Sequence, residues 1–301
     1  MRVLVTGGSG FIGRTVVERL LEEGYDVLIL DLREPPIPAS YIRGDIRYLN
    51  TVKEAIEHAD LVVHLAAVVS AVEAMDRPLD AFRTNVEGTL NVIELSKRRN
   101  IEKVIYASSV AVYGEPRYLP IDEDHPTIPK NVYGASKLAG ESLLLGYNGN
   151  YGLQCVSLRL FNVYGPNMKP GPYAGVIYKF LERIRDGESL RVEGDGKQTR
   201  DFVFVEDVAE AILRALESDR VGIYNIGTGR EVSILELADL LFNITGKDMG
   251  LEFVPPRPGD IRRSMANIDK AREELGWEPR TTLEEGLRKT VDWFFSEEGP
   301  K

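Results

Sequence analysis

The stretch "VLVTGGSGFIGRTVVERL" (3–20) constrains the fold of this chain more than any other. An apolar run, "RVLVT", leads directly into Gly7, Gly10 and Gly13. An amphipathic run, "FIGRTVVERLLEEG", follows and closes on Gly24. A strand that turns through glycines into a helix lets backbone approach a pyrophosphate, and the helix N-terminus offers unpaired N–H groups and a positive dipole end. The rhythm then repeats. "DVLIL", "DLVVHLAA", "KVIYASS" and "QCVSLRLFNV" read as strands, separated by helical "TVKEAIEH", "NVEGTLNVIELSKRR" and "VYGASKLAGESLLLGYN". Such alternation predicts βαβ units and a parallel sheet, and nearly all-apolar strands predict cover on both faces. After about residue 165 the loop "GPNMKPGPYAG" breaks the pattern. "VIYKFLERIRDG", "VEDVAEAILRALES", "ILELADLLFNITG", "NIDKAREELGW" and "LEEGLRKTVDWFF" read as later helical segments, and "GIYNIG" as a further strand of the first sheet. The expected class is α/β: a Rossmann-type doubly wound parallel sheet over residues 1–165, completed by about 199–229. A smaller mixed α/β cap is expected from 166–198 and 230–301.

Composition narrows the partners. With 37 Lys and Arg against 47 Asp and Glu, the net charge is −10, which argues against nucleic acid, whose binders need a basic face. Cys155 is the one cysteine and lies in an apolar run, so a core thiol is expected and no intrachain disulfide can form. His58, His64 and His125 show no ligand spacing, so no metal site is expected. No leader pattern opens the sequence, and no apolar run reaches the roughly 18 residues of a membrane span. A soluble, cytoplasmic protein without a membrane partner is expected.

Asp31 ends the second strand in "LILDLR", close to the ~20-residue offset at which an acid meets the adenosine ribose. A carboxylate there disfavours a 2′-phosphate and so favours NAD, though the neighbouring Arg33 leaves NADP open. Ser108 and Ser109 sit where the strand "KVIYASS" ends, the sheet edge at which ligands bind in open α/β folds. In "NVYGASKLAGE", Tyr133 and Lys137 are four apart and share one helix face. A hydroxyl, a phenol and an ammonium could thus converge on one substrate oxygen. A free phenol titrates near 10, so the Lys137 ammonium is expected to favour phenolate and make Tyr133 the base. Ser109 would bond the same oxygen, and Lys137 would also hold the nicotinamide ribose.

Taken together, "TGGSGFIG" (6–13), "HLAA" (64–67), "NVEGTLNVIE" (85–94), "SSVAVYG" (108–114), "YGASK" (133–137), "RLFNVYGP" (159–166), "TRDFVFVEDVAEA" (199–211), "YNIGTG" (224–229) and "RPGD" (257–260) resemble the extended short-chain dehydrogenase/reductases, in their NAD-dependent nucleotide-sugar epimerase branch. The resemblance implies a dinucleotide cradle of Gly7, Gly10, Phe11, Ile12 and Gly13, with Asp31, Leu32 and Arg33 at the adenosine ribose. Asp45 and Ile46 would flank adenine. Leu65, Ala66, Ala67, Asn85 and Ser108 would line the cofactor path, joined by Tyr133 and Lys137. The cap would hold a nucleoside diphosphate: Arg200 and Arg257 on phosphates, Asn162 donating to the diphosphate, Asp260 accepting from a ribose hydroxyl. Backbone near Arg191 and Val192 would meet uracil, with Val176 packed beside it. A homodimer through a four-helix bundle is a further implication.

The resemblance also bears on the reaction. Sugar dehydratases of the group carry Asp-Glu before "VYG", and decarboxylases carry Glu there. Here the positions hold Val110 and Ala111, neither an acid nor a base. What remains is epimerization at C4 of a UDP-hexose through a transient 4-keto sugar. Ser264 stands where members restricted to glucose and galactose tend to carry a bulky Tyr, which leaves room for an N-acetyl group. The competing expectations are a nucleotide-sugar reductase, dehydratase or decarboxylase of the same superfamily, and a non-catalytic NAD-binding relative.

Overall fold

Alternate residues of the apolar strands face opposite ways, and this fixes how the chain layers. In the computed structural model, which describes residues 1–171, 174–256, 259–296 and 299–300, β1 (Arg2–Thr6) sends Val3 and Val5 to one side and Leu4 to the other. β2 (Asp26–Asp31) does the same with Val27 and Ile29 against Leu28 and Leu30. Between them runs α1 (Phe11–Glu22). The chain continues through β3 (Ser40–Arg43), α2 (Leu49–Ile56) and β4 (Leu61–His64). Next come the short α3 (Ala71–Asp76) and α4 (Pro78–Phe82), a π-helical turn Arg83–Gly88, and α5 (Thr89–Arg99). Then come β5 (Lys103–Ser109), α6 (Val132–Tyr151) and β6 (Gln154–Leu160). The later chain holds β7 (Asn162–Tyr164), α7 (Val176–Asp186), β8 (Leu190–Glu193), β9 (Thr199–Arg200), β10 (Phe202–Phe204), α8 (Val205–Glu217) and β11 (Gly222–Ile226). It closes with β12 (Val232–Ser233), α9 (Ile234–Thr245), β13 (Leu251–Val254), α10 (Asp269–Leu275) and α11 (Leu283–Phe295).

Seven strands form a parallel sheet in the order β11-β6-β5-β4-β1-β2-β3. One core holds α1 and α8 against one face, through Val16, Val17, Leu20, Val208 and Ile212. The other face is covered by α2, α5 and α6, through Val52, Val92, Ile93 and Leu144. The order reverses direction at β1: β2 and β3 lie to one side, β4, β5, β6 and β11 to the other. That reversal opens a crevice at the carboxyl ends of β1 and β4.

Local differences from the sequence reading have tertiary causes. "DLVVHLAA" is a strand only to His64. "QCVSLRLFNV" breaks at Phe161, whose N–H donates to the Ile226 carbonyl at 2.9 Å, and Asn162–Tyr164 pairs instead with β10. "NVEGTLNVIELSKRR" starts inside the π-helical turn. A third core gathers α7, α9, α11 and the β8–β13 pair. The segment 266–277, expected in the cap, instead buries Ala266, Ile268, Leu275 and Trp277 in the first core. Among the described residues, no helix is long and apolar enough to cross a membrane, and no cluster of His, Cys, Asp and Glu could hold a metal ion.

Candidate active site

At the crevice, β1 ends in the glycine loop and β4 ends in Leu65–Ala67. A Cβ at Gly7 would lie 2.7 Å from the Ala66 nitrogen, and Gly7 has φ +75°, so only glycine fits there. A Cβ at Gly13 would lie 2.1 Å from the Gly7 carbonyl oxygen, so α1 starts hard against the loop. A Cβ at Gly10 would meet only the Gly7 carbonyl oxygen, at 3.0 Å, and the Lys169 Nζ, at 3.9 Å. The cradle therefore keeps backbone exposed at the N-terminus of a twelve-residue helix, as a dinucleotide pyrophosphate requires. Asp31 is held for the ribose side: the Ser9 N–H donates to one carboxylate oxygen at 3.0 Å and the Arg33 N–H to the other at 3.1 Å. Ser9, whose hydroxyl also bonds the Arg33 carbonyl at 2.8 Å, had no role in the sequence reading. These residues fit the expected NAD.

Phe11 packs toward the cap core and Ile12 toward the first core. Leu65 and Ala66 are half-buried on opposite faces of the sheet, and Ala67 is half-buried beside them. Leu32 is exposed. Asp45 accepts from the Arg47 side chain and backbone, which hold its carboxyl below the usual range against the effect of burial.

For three cofactor residues the side chain is committed elsewhere. Ile46 is buried in the core under Gly88 and α5. The Asn85 amide bonds Val68 N–H and carbonyl, at 2.8 and 2.9 Å, and the Ser136 hydroxyl at 2.9 Å. Asn85 thus braces the crevice wall against α6 rather than lining it. The Ser108 hydroxyl donates to the Glu141 carboxylate inside the protein. Only backbone atoms of Ser108 and Ile46 are left to face a cofactor.

Two of the three reactive side chains meet directly, with the third one helical turn along, and one glycine explains how. α6 is capped by Asn131, whose Oδ1 accepts from the Gly134 N–H at 2.8 Å. A Cβ at Gly134 would lie 2.4 Å from the Ala111 carbonyl oxygen, so α6 rests directly on the 3-10 turn Val110–Val112 that follows β5. That contact brings Ser109 to the Tyr133 phenol, and the two hydroxyls hydrogen-bond. Ser109 Oγ also accepts from the Ala111 N–H at 3.2 Å. One turn along, Lys137 is buried: its Nζ donates to the Ala107 carbonyl at 2.8 Å and lies 4.9 Å from the Tyr106 ring centroid.

The electrostatics differ from the simple expectation. Burial pushes the Tyr133 phenol up, and the group that pulls it down is the Ser109 hydroxyl, not the Lys137 ammonium. Burial lowers Lys137 to about 7, with Glu141 favouring its charge. A buried network that sequence reading missed stands behind this. Arg159 and Glu141 form an ion pair at 2.8 Å, with the guanidinium 4.6 Å from the Tyr113 ring centroid. Burial opposes the Arg159 charge, but Glu141 and Tyr113 outweigh it and raise the guanidinium. Glu141 follows Lys137 by four residues, so helical spacing was the available signal.

On the cap side, Arg200 and Asp260 are paired with each other, and Arg200 also donates to the Thr199 and Ile261 carbonyls at 2.7 Å. Asn162 Nδ2 donates to the Asp201 carbonyl at 3.1 Å. Asp201 organises this region: its buried carboxylate accepts from the Thr228, Gly229 and Ala266 N–H groups and the Thr228 hydroxyl. Burial still raises its carboxyl, and those donors oppose the rise. It lies inside a quoted motif, yet nothing in the sequence marks it as a hub. Ser264 is buried, and its hydroxyl has no hydrogen-bond partner among the described residues. Val192 is buried in the cap core, with Val176 packed against that core. Arg191, on β8, reaches Glu252 at 3.5 Å. Arg257 lies outside the described residues.

Comparison with known proteins follows the same lines. Residues 3–227 match the family model described as the NAD dependent epimerase/dehydratase family. A UDP-glucose 4-epimerase from Mycolicibacterium smegmatis is 40% identical over 98% of both chains. A UDP-glucose 4-epimerase structure from Thermotoga maritima, with UDP-glucose, superposes with TM-score 0.94 at 38% identity, over 98% of each chain. A Thermus thermophilus UDP-glucose 4-epimerase structure in complex with NAD gives TM-score 0.93 at 39% identity, over 99% of this chain and 100% of that one.

Proposed function

This chain belongs to the NAD dependent epimerase/dehydratase family and is an NAD-dependent isomerase, and from that premise we propose that it inverts C4 of a UDP-hexose. The grouping of Ser109, Tyr133 and Lys137 at the crevice, beside the glycine cradle, carries the reading. NAD held by the glycine cradle and Asp31 would supply a hydride acceptor and donor for the carbon-bound hydrogen at C4. Tyr133 takes the proton of the 4-hydroxyl and gives it back when the 4-keto sugar is reduced. Ser109 holds the same oxygen. Burial opposes a phenolate and the Ser109 hydroxyl favours it, while Lys137, one turn along α6, is proposed to orient the site and hold the nicotinamide ribose. Val110 and Ala111 offer no acid or base for dehydration or decarboxylation.

Asn162, Arg200 and Asp260 meet around Asp201 and are proposed to hold the diphosphate and a ribose, with Arg257 as a further phosphate ligand. On opening of the Arg200–Asp260 pair, the guanidinium fork matches phosphate oxygens. Arg191, Val192 and Val176 form the proposed base end of the site. The small Ser264, buried with a hydroxyl unpartnered among the described residues, favours acceptance of N-acetylated sugars. We also propose a homodimer. α3, α4, α5 and α6 pack on one another and expose Met75, Leu79, Phe82, Leu90 and Leu145.

Purified protein incubated with UDP-galactose, without added cofactor, is expected to yield UDP-glucose, and the acetylated pair to interconvert as well. Tyr133→Phe should lower the rate on the order of 10²–10⁴-fold while NAD stays bound. A Tyr133→Phe variant as fast as the wild type, or a requirement for added reductant, would overturn the proposal. Failure on the acetylated pair alone would remove only the role of Ser264.

A further inference from the structure

The loop after β7 crosses from the cap to the dinucleotide cradle, and three consecutive residues of it are anchored in three different places. Asn167, with φ +67°, accepts from the Arg14 guanidinium at 3.0 Å, which ties the loop to α1. Met168 is buried in the cap core. Lys169 turns the other way: its Nζ is 3.9 Å from where a Gly10 Cβ would stand, at the first turn of α1. Among the described residues, Lys169 makes no ion pair, although the Asp31 and Glu73 carboxylates and the Arg33 guanidinium all act on it. Its surroundings lower its ammonium through crowding by protein and then through Arg33, with Asp31 and Glu73 opposing. An anion at the cradle would therefore favour its charge.

We propose that Lys169 is a positioning residue for the cofactor, a cation delivered from the cap side that closes over the dinucleotide pyrophosphate at Gly10. Arg14–Asn167 and the Met168 anchor fix where the ammonium can reach, so it meets the anion opposite the backbone N–H groups of the α1 N-terminus. Retention of NAD then depends on a residue outside the glycine motif.

The test is NAD binding to wild-type, Lys169→Met and Lys169→Arg proteins stripped of cofactor, followed by calorimetry at two salt concentrations. Lys169→Met should bind NAD on the order of 10-fold more weakly, as expected for loss of one charge-assisted contact, and with a smaller dependence on salt. Lys169→Arg should restore most of the affinity and the salt dependence. Equal affinity and equal salt dependence for wild type and Lys169→Met would overturn the assignment. So would weakening in Lys169→Met that Lys169→Arg shares in full, because that points to loop packing and not charge. The readout needs no sugar, so its outcome is independent of which reaction the enzyme catalyses.

Discussion

His64 shows what burial does to one side chain on this scaffold. Its ring lies between the Thr6 and Thr89 hydroxyls, at 2.6 and 2.9 Å. Burial, helped by the nearby Lys137 charge, lowers its pKa to about 3. An unfolded histidine titrates near 6.5. Between those values the unfolded chain binds the extra proton, so stability rises with pH across the window, is complete above about 6.5, and is lost on acidification toward 3. Each pH unit within the window is worth at most about 1.4 kcal/mol. Urea unfolding at pH 7.5 and pH 4.5 should show a larger acid loss for wild type than for His64→Gln. Identical losses in the two proteins would contradict this account. In the sequence, His64 is legible as a residue without metal-ligand spacing and no more. Its Thr partners lie far apart along the chain: strand pairing brings Thr6 beside it, and Thr89 reaches it from the start of α5. Asp201 and Arg159 were illegible for the same reason, since their partners come from distant segments. The glycine loop and the Tyr133–Lys137 spacing were legible because each is a local pattern, and Asp31 because a single βαβ unit returns the second strand beside the loop.

At the scale of elements, α6 is set by contacts no wider than an atom. Gly134→Ala would place its new methyl against the Ala111 carbonyl, 2.4 Å away, and must lift α6 from the 3-10 turn. Stability should fall by about 1–3 kcal/mol, and turnover should fall at least ~10-fold as Ser109 and Tyr133 separate. Gly146 is on the same helix, with nothing within 4 Å of its added Cβ. Gly146→Ala should instead stabilise by about 0.5–1 kcal/mol. Thermal unfolding and initial rates of both variants check the contrast, and a Gly134→Ala enzyme with native activity would refute it. Long periodic helices such as α8 and α11 were readable from the sequence because their apolar stripes persist for several turns. β3 was not, since "SYIR" is half-exposed and polar at the sheet edge. The break between β6 and β7 was hidden by apolar residues that run straight through it.

Over the whole molecule, the exposed apolar side chains of α4 and α6 bear on assembly. Phe82 is 49% exposed and Leu145 is 49% exposed, large values for such side chains on helices that pack together. A Phe82→Glu, Leu145→Glu double variant should run as a monomer by light scattering, while wild type runs as a dimer. A monomeric wild type would discard the four-helix bundle. β10 has a different consequence. Its three residues alternate between two interiors: Val203 belongs to the nucleotide side, Phe202 and Phe204 to the cap side. Pulling that short strand loose exposes both interiors at once, so neither half of the enzyme can melt while the other survives, and heat should act on them as a single cooperative body.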